Sequence, residues 1–163
     1  ENIWFSTQRI DFEKMNVLHN ISDACINIAY AEGFGLATLE AMQVGNPVIA
    51  VKTGGLTRQV VDHRDGSENG IALDVEFKSL VGSQAVPYIY EDYVSNETVA
   101  DAIFKIYNTA PEERERLGKK ARDYVLSEFS LDTTIDLWHE SLLKVVQDYK
   151  EGKIKKWTLE EVG

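Results

Sequence analysis

The chain has 163 residues, about one ordinary domain, with 17 Lys+Arg against 27 Asp+Glu and a net charge of −10. That acidity argues against a nucleic-acid footprint and a polybasic membrane patch, while 44% hydrophobic and 27% charged residues is globular composition rather than disorder. The single cysteine, Cys25, excludes an intramolecular disulfide framework, no apolar run nears the ~18 residues that span a bilayer, and the first residues carry no basic-then-apolar leader, so a soluble, cytoplasmic domain is expected.

Ile3-Trp4-Phe5 reads as a short strand, with Trp4 expected in the core. Asp11 to Ile21 places Phe12, Met15, Leu18 and Ile21 at the three-to-four spacing of an amphipathic helix. Cys25 to Ala29 is a compact strand, its cysteine a packed thiol. Leu36 to Val44 is helical, with Gly45 closing it and Pro47 just beyond. Pro47 to Val51 is the next strand, Gly54-Gly55 a turn, Leu56 to Val61 a short helix and Ile71 to Leu73 a further strand. Strand and helix alternating at this spacing predict an α/β fold with a parallel, Rossmann-like sheet.

Residues 74–94 have no clean period, although Ala85 to Tyr90 suits a strand. Ser95 can cap a helix to about Thr109 with Val99, Ala102, Ile103 and Ile106 inward. Pro111 suits the first turn of a helix reaching about Ser127, and a third, from about Asp132 to Tyr149, lines up Ile135, Trp138, Leu142, Val145 and Val146. The expected organisation is one domain over 1–150 and a polar tail over 151–163.

The chemistry concentrates where the Cys25–Ala29 strand runs through Glu32-Gly33-Phe34-Gly35 into the next helix. Ligands of α/β sheets bind past the carboxyl ends of parallel strands. Two glycines let the backbone approach an anion, and the free amides of a first helical turn, with the helix dipole behind them, favour phosphate. Glu40 stands five residues into the helix, roughly 7–8 Å along its axis at 1.5 Å per residue. That is about the offset between the diphosphate and the ribose diol of a nucleotide, and a carboxylate can accept from both hydroxyls. The dinucleotide fingerprint fails because position 38 is Thr; no P-loop or Asp-x-Asp occurs, and His19, His63 and His139 do not cluster at metal-ligand spacing.

Glu32 to Glu40 resembles the Glu-x7-Glu motif of retaining, family-4-like GT-B glycosyltransferases. The flanks match in order: Ser22-Asp23-Ala24, Glu32-Gly33-Phe34-Gly35-Leu36, Glu40-Ala41-Met42, Gly45-x-Pro47-Val48-Ile49-Ala50, Gly54-Gly55 and Asn69-Gly70. The resemblance implies a C-terminal donor-binding domain for a nucleoside-diphosphate sugar, with no metal or other cofactor. It implies that Glu40 binds the ribose hydroxyls. The backbone of Gly33, Phe34, Gly35 and Leu36 would serve the diphosphate and the sugar, and Glu32 would contact the donor sugar as the catalytic-site carboxylate. It places the base near Ser6, Thr7 and Gln8, and the Gly54-Gly55 turn beside the same cleft.

Members of that family also carry an N-terminal acceptor domain and two earlier strand–helix units, which this sequence does not contain, so it is expected to be part of a longer enzyme and inactive in sugar transfer alone. Trp157 is a candidate for docking on the absent domain. Without the two intervening strands, the Ile3–Phe5 segment is expected to be displaced, to pair with a neighbouring molecule or to join the Cys25–Ala29 strand, and exposed sheet edges are candidates for homo-oligomer contacts. Residues 74–94 resemble a subfamily insertion. Membrane association is not readable. The rival readings are another GT-B activity, such as a sugar-nucleotide epimerase, and a non-catalytic nucleotide-sugar-binding module.

Overall fold

A computed structural model of the chain describes residues 2–154; Trp157 lies outside them. The chain divides into two compact units, one ending at Leu126 and one starting at Ser127.

The centre of the first unit is a parallel sheet of β1 (Cys25–Asn27), β2 (Val48–Val51) and β3 (Ile71–Leu73), in that order. Ile26 pairs with Ile49, and Ile49 with Ile71. All four residues of β2 are buried, as the middle strand of a sheet covered on both faces requires. Alternation along the strand sends Ile49 and Val51 to one face, where they form a core with Ile71, Leu73, Ala102 and Ile106. Each such aliphatic side chain contributes about 1.5–3 kcal/mol on full burial.

Helices α1 (Phe12–Ile21), α2 (Leu36–Gln43) and α3 (Leu56–Val60) alternate with these strands. The helix α2 ends in a Schellman motif: Gly45 N–H donates to the Met42 carbonyl and Asn46 N–H to that of Ala41, each at 3.0 Å. Ser95 caps α4 (Asn96–Asn108), its hydroxyl accepting from Thr98 N–H at 3.2 Å. The helix α5 (Pro111–Glu128) follows, and Gly118 on it lies against Gly45: a Cβ there would stand 1.7 Å from the Gly45 carbonyl oxygen.

Residues 74–94, expected to hold one strand at most, form an antiparallel hairpin of β4 (Phe77–Ser83) and β5 (Val86–Tyr93), with a register shift at Gly82. The second unit contains α6 (Leu131–Lys150), capped by Ser130 and without a buried residue.

Three expectations need correction. Ile3-Trp4-Phe5 is irregular rather than a strand, and Trp4 is 93% exposed rather than in the core. An apolar triplet becomes a strand only where a neighbour takes its backbone hydrogen bonds, and β1 pairs only with β2 among the described residues. The segment is therefore displaced from the sheet. In α1 the expected apolar stripe is largely outward, with Phe12 and Ile21 exposed, and the buried residue is His19. On α4, Ala102 and Ile106 face in as expected while Ile103 is exposed.

Candidate functional site

The junction between β1 and α2 is built by side chains that fix its backbone. Asn27, the last residue of β1, accepts from Ala29 N–H at 3.1 Å and donates from Nδ2 to the Thr38 hydroxyl at 3.1 Å. It thus ties the strand end to the first turn of α2, where Thr38 is fully buried. Gly35 is the N-cap of α2 at φ +91°, a left-handed conformation that side chains disfavour. A Cβ there would stand 2.5 Å from Leu56 Cδ2. Because Gly35 has no side chain, nothing caps α2 from within, and no acidic residue sits in its first turn. The first-turn amides are left for an outside acceptor.

A second loop closes on the first. Gly55 N–H points at the carbonyls of Gly33, 3.2 Å away, and Glu32, 3.4 Å away. Gly54, at φ +45°, approaches so closely that a Cβ would lie 1.8 Å from the Glu32 carbonyl oxygen. The Gly54-Gly55 turn thus lies beside the Glu32–Phe34 loop, so the loops that follow two neighbouring parallel strands adjoin.

The hairpin holds the chain just ahead of this loop. Asp92 N–H donates to the Tyr30 carbonyl at 2.7 Å. The Tyr30 ring stacks on Tyr93 at 4.5 Å, and Tyr93 on Phe77 at 4.7 Å. A hydrogen bond from Lys78, followed by one from Thr53, holds the Asp92 carboxyl below the usual carboxylate range.

Glu40, on the second turn of α2, is half-buried. It lines a cleft of about 430 Å³ between α1 and α2, together with Phe12, Met15, Asn16, His19 and Gln43. Its Oε2 lies 3.6 Å from Nε2 of His19. The sequence reading set His19 aside. The signal available was its place seven residues along from Phe12 and four from Met15, since positions 12, 15 and 19 share one helix face.

The other expected residues fall as follows. Glu32 is half-buried, and Gly33, Phe34 and Leu36 are exposed at the junction, with Gly35 buried behind them. Ser6 and Thr7 lie exposed in the irregular segment ahead of α1, where the Ser6 hydroxyl donates to the Gln8 carbonyl at 3.5 Å. Lys52 pairs with Asp74. Burial pushes the Cys25 thiol up, as a packed thiol requires. Among the described residues no three His, Cys, Asp or Glu side chains converge as metal ligands, and no helix is long and apolar enough to cross a membrane.

Residues 2–124 match the family model described as Glycosyl transferases group 1. The N-acetyl-alpha-D-glucosaminyl L-malate synthase of Bacillus anthracis is 26% identical over 134 residues, covering 82% of this chain and 29% of that protein. The trehalose synthase of Pyrococcus horikoshii is 28% identical over 116 residues, 71% of this chain and 22% of that one. Among solved structures, sucrose-phosphate synthase from Thermosynechococcus elongatus superposes with a TM-score of 0.60 at 28% identity, over 86% of this chain and 29% of that one. The chain spans under a third of the length of these relatives.

Proposed function

The chain belongs to the glycosyl transferases group 1 family, and from that premise we propose that it is the donor-binding part of an enzyme moving a sugar from a nucleoside-diphosphate sugar to an acceptor, with retention at the anomeric carbon. The observation that carries the reading is the pairing, on one short helix, of an uncapped amide end with a cleft-lining carboxylate a turn and a half further in. Glu40 takes the ribose hydroxyls. The backbone of Gly33, Phe34, Gly35 and Leu36 takes the diphosphate, and Glu32, beside the Gly54-Gly55 turn, takes the donor sugar. Ser6 and Thr7 are assigned to the base.

Transfer breaks the bond between the anomeric carbon and the β-phosphate oxygen, joins that carbon to an acceptor oxygen, and releases the acceptor's hydroxyl proton. Negative charge grows on the departing diphosphate. Amides already aimed at that position stabilise it without reorganising, and this needs no metal.

Calorimetric titration with UDP, GDP and ADP, and with their sugars, tests the reading. One of the nucleotides is expected to bind in the presence of EDTA. Glu40→Ala is expected to weaken that binding by about 1–3 kcal/mol, the scale of hydrogen bonds to a charged group. Unchanged affinity would remove Glu40 from the site.

A further inference from the structure

We propose that His19 is a positioning residue for Glu40: its imidazole sets the carboxylate for a vicinal diol and thereby makes the site selective for ribose over deoxyribose nucleotides. This rests on the assignment of Glu40 to the ribose.

His19 is the one buried residue of a helix whose apolar side chains are largely exposed. Its backbone is fixed from behind, because Asn46 Nδ2, just past the end of α2, donates to its carbonyl oxygen. Among the described residues Nε2 is buried and meets no hydrogen-bond partner. Buried polar atoms are as a rule satisfied, so an unsatisfied one facing a cleft marks a place where a partner arrives or moves into range.

The group in front of it is Glu40 Oε2, at 3.6 Å. That is too long for a hydrogen bond and short enough that a modest rotation of the carboxylate closes it. A carboxylate oxygen that accepts from His19 is pinned in direction. The remaining acceptor positions of Glu40 then converge on one place, where two neighbouring hydroxyls can donate together. With an apolar side chain at position 19 the carboxylate is free to rotate, and the penalty for losing one hydroxyl shrinks.

The test compares each nucleoside diphosphate that binds with its 2′-deoxy counterpart, by calorimetry on the 163-residue chain and its variants. The unaltered chain is expected to prefer the ribonucleotide at least tenfold, and Glu40→Ala to abolish the preference. His19→Phe is expected to cut the preference threefold or more while leaving the deoxynucleotide affinity within twofold. His19→Met repeats the removal of the nitrogen should the phenyl ring disturb folding, and His19→Gln, which returns a donor, is expected to restore most of the preference. A side chain with a packing role alone would change stability and leave the ratio untouched. A full preference in the folded Phe or Met variant, with the Glu40 variant losing it, overturns the role of His19 and leaves the donor site standing. Loss of no preference in the Glu40 variant overturns the assignment of Glu40 and this inference with it.

Discussion

Gln59 Nε2 donates to the carbonyl oxygen of Phe34 at 2.5 Å, from a side chain with no exposed surface, and so joins α3 to the loop that opens α2 across 25 residues of sequence. Truncating it removes that bond and leaves a cavity behind Gly35. Gln59→Ala is expected to destabilise the chain by about 2–4 kcal/mol in urea unfolding. It is also expected to weaken nucleotide binding, because the loop loses its brace.

Gly54→Ala places a methyl within 1.8 Å of the Glu32 carbonyl oxygen at a backbone φ of +45°. The left-handed conformation alone costs about 1–3 kcal/mol, and the overlap must displace the Glu32 loop. Gly66→Ala is the control: its φ is +74°, yet its Cβ would meet nothing within 4 Å. Both variants are expected to melt earlier, and only Gly54→Ala to lose nucleotide affinity as well.

Gly118→Ala sets helix propensity against packing. In an exposed helix the change would stabilise by about 1 kcal/mol. Here the added methyl falls 1.7 Å from the Gly45 carbonyl oxygen, and overpacking of that kind costs about 1–3 kcal/mol. Packing is expected to win, giving a lower melting temperature by roughly 2–4 °C per kcal/mol. A melting temperature raised by the substitution would refute the close contact.

The turn after α3 carries an acid-sensitive contact. Asp62 is held at about 2, below its ordinary 3.8, first by the Arg64 side-chain hydrogen bond and then by the Arg64 backbone N–H. A carboxylate lowered in the folded state contributes stability above its unfolded value and loses it as pH falls through the folded one. The melting temperature is therefore expected to fall between about pH 4 and pH 2, and Asp62→Asn to flatten that part of the profile.

The sequence carried the α/β alternation because each element was marked locally. Ser95 announced α4, Gly45 and Pro47 closed α2, and the apolar run from Val48 stood between turn residues. The hairpin escaped because its strands do not alternate: Leu80-Val81 and Tyr88-Ile89-Tyr90 are consecutive apolar residues, and the Gln84-Ala85 turn lacks the glycine that usually marks one. The strand-to-helix junction at Glu32–Leu36 was legible from glycine spacing and helix geometry, and Gly54-Gly55 as a turn; the expectation that this turn lies beside the junction came from the family resemblance. Contacts between distant segments were not legible. Gln59 on Phe34 and His19 beside Glu40 join residues 25 and 21 positions apart, and no local period reports that.

Both ends of α2 are seated on contacts that an added methyl would disturb, one on Gly35 against Leu56 and, just past the helix, one on Gly118 against the Gly45 carbonyl. A rod of eight residues, about 12 Å long, locked at each terminus can neither slide nor tilt without breaking one seat. It acts as a fixed gauge. On the proposed reading, molecules offering a negative group and a hydroxyl pair would be sorted by the separation between the two, and one of the wrong span would satisfy a single end at a time.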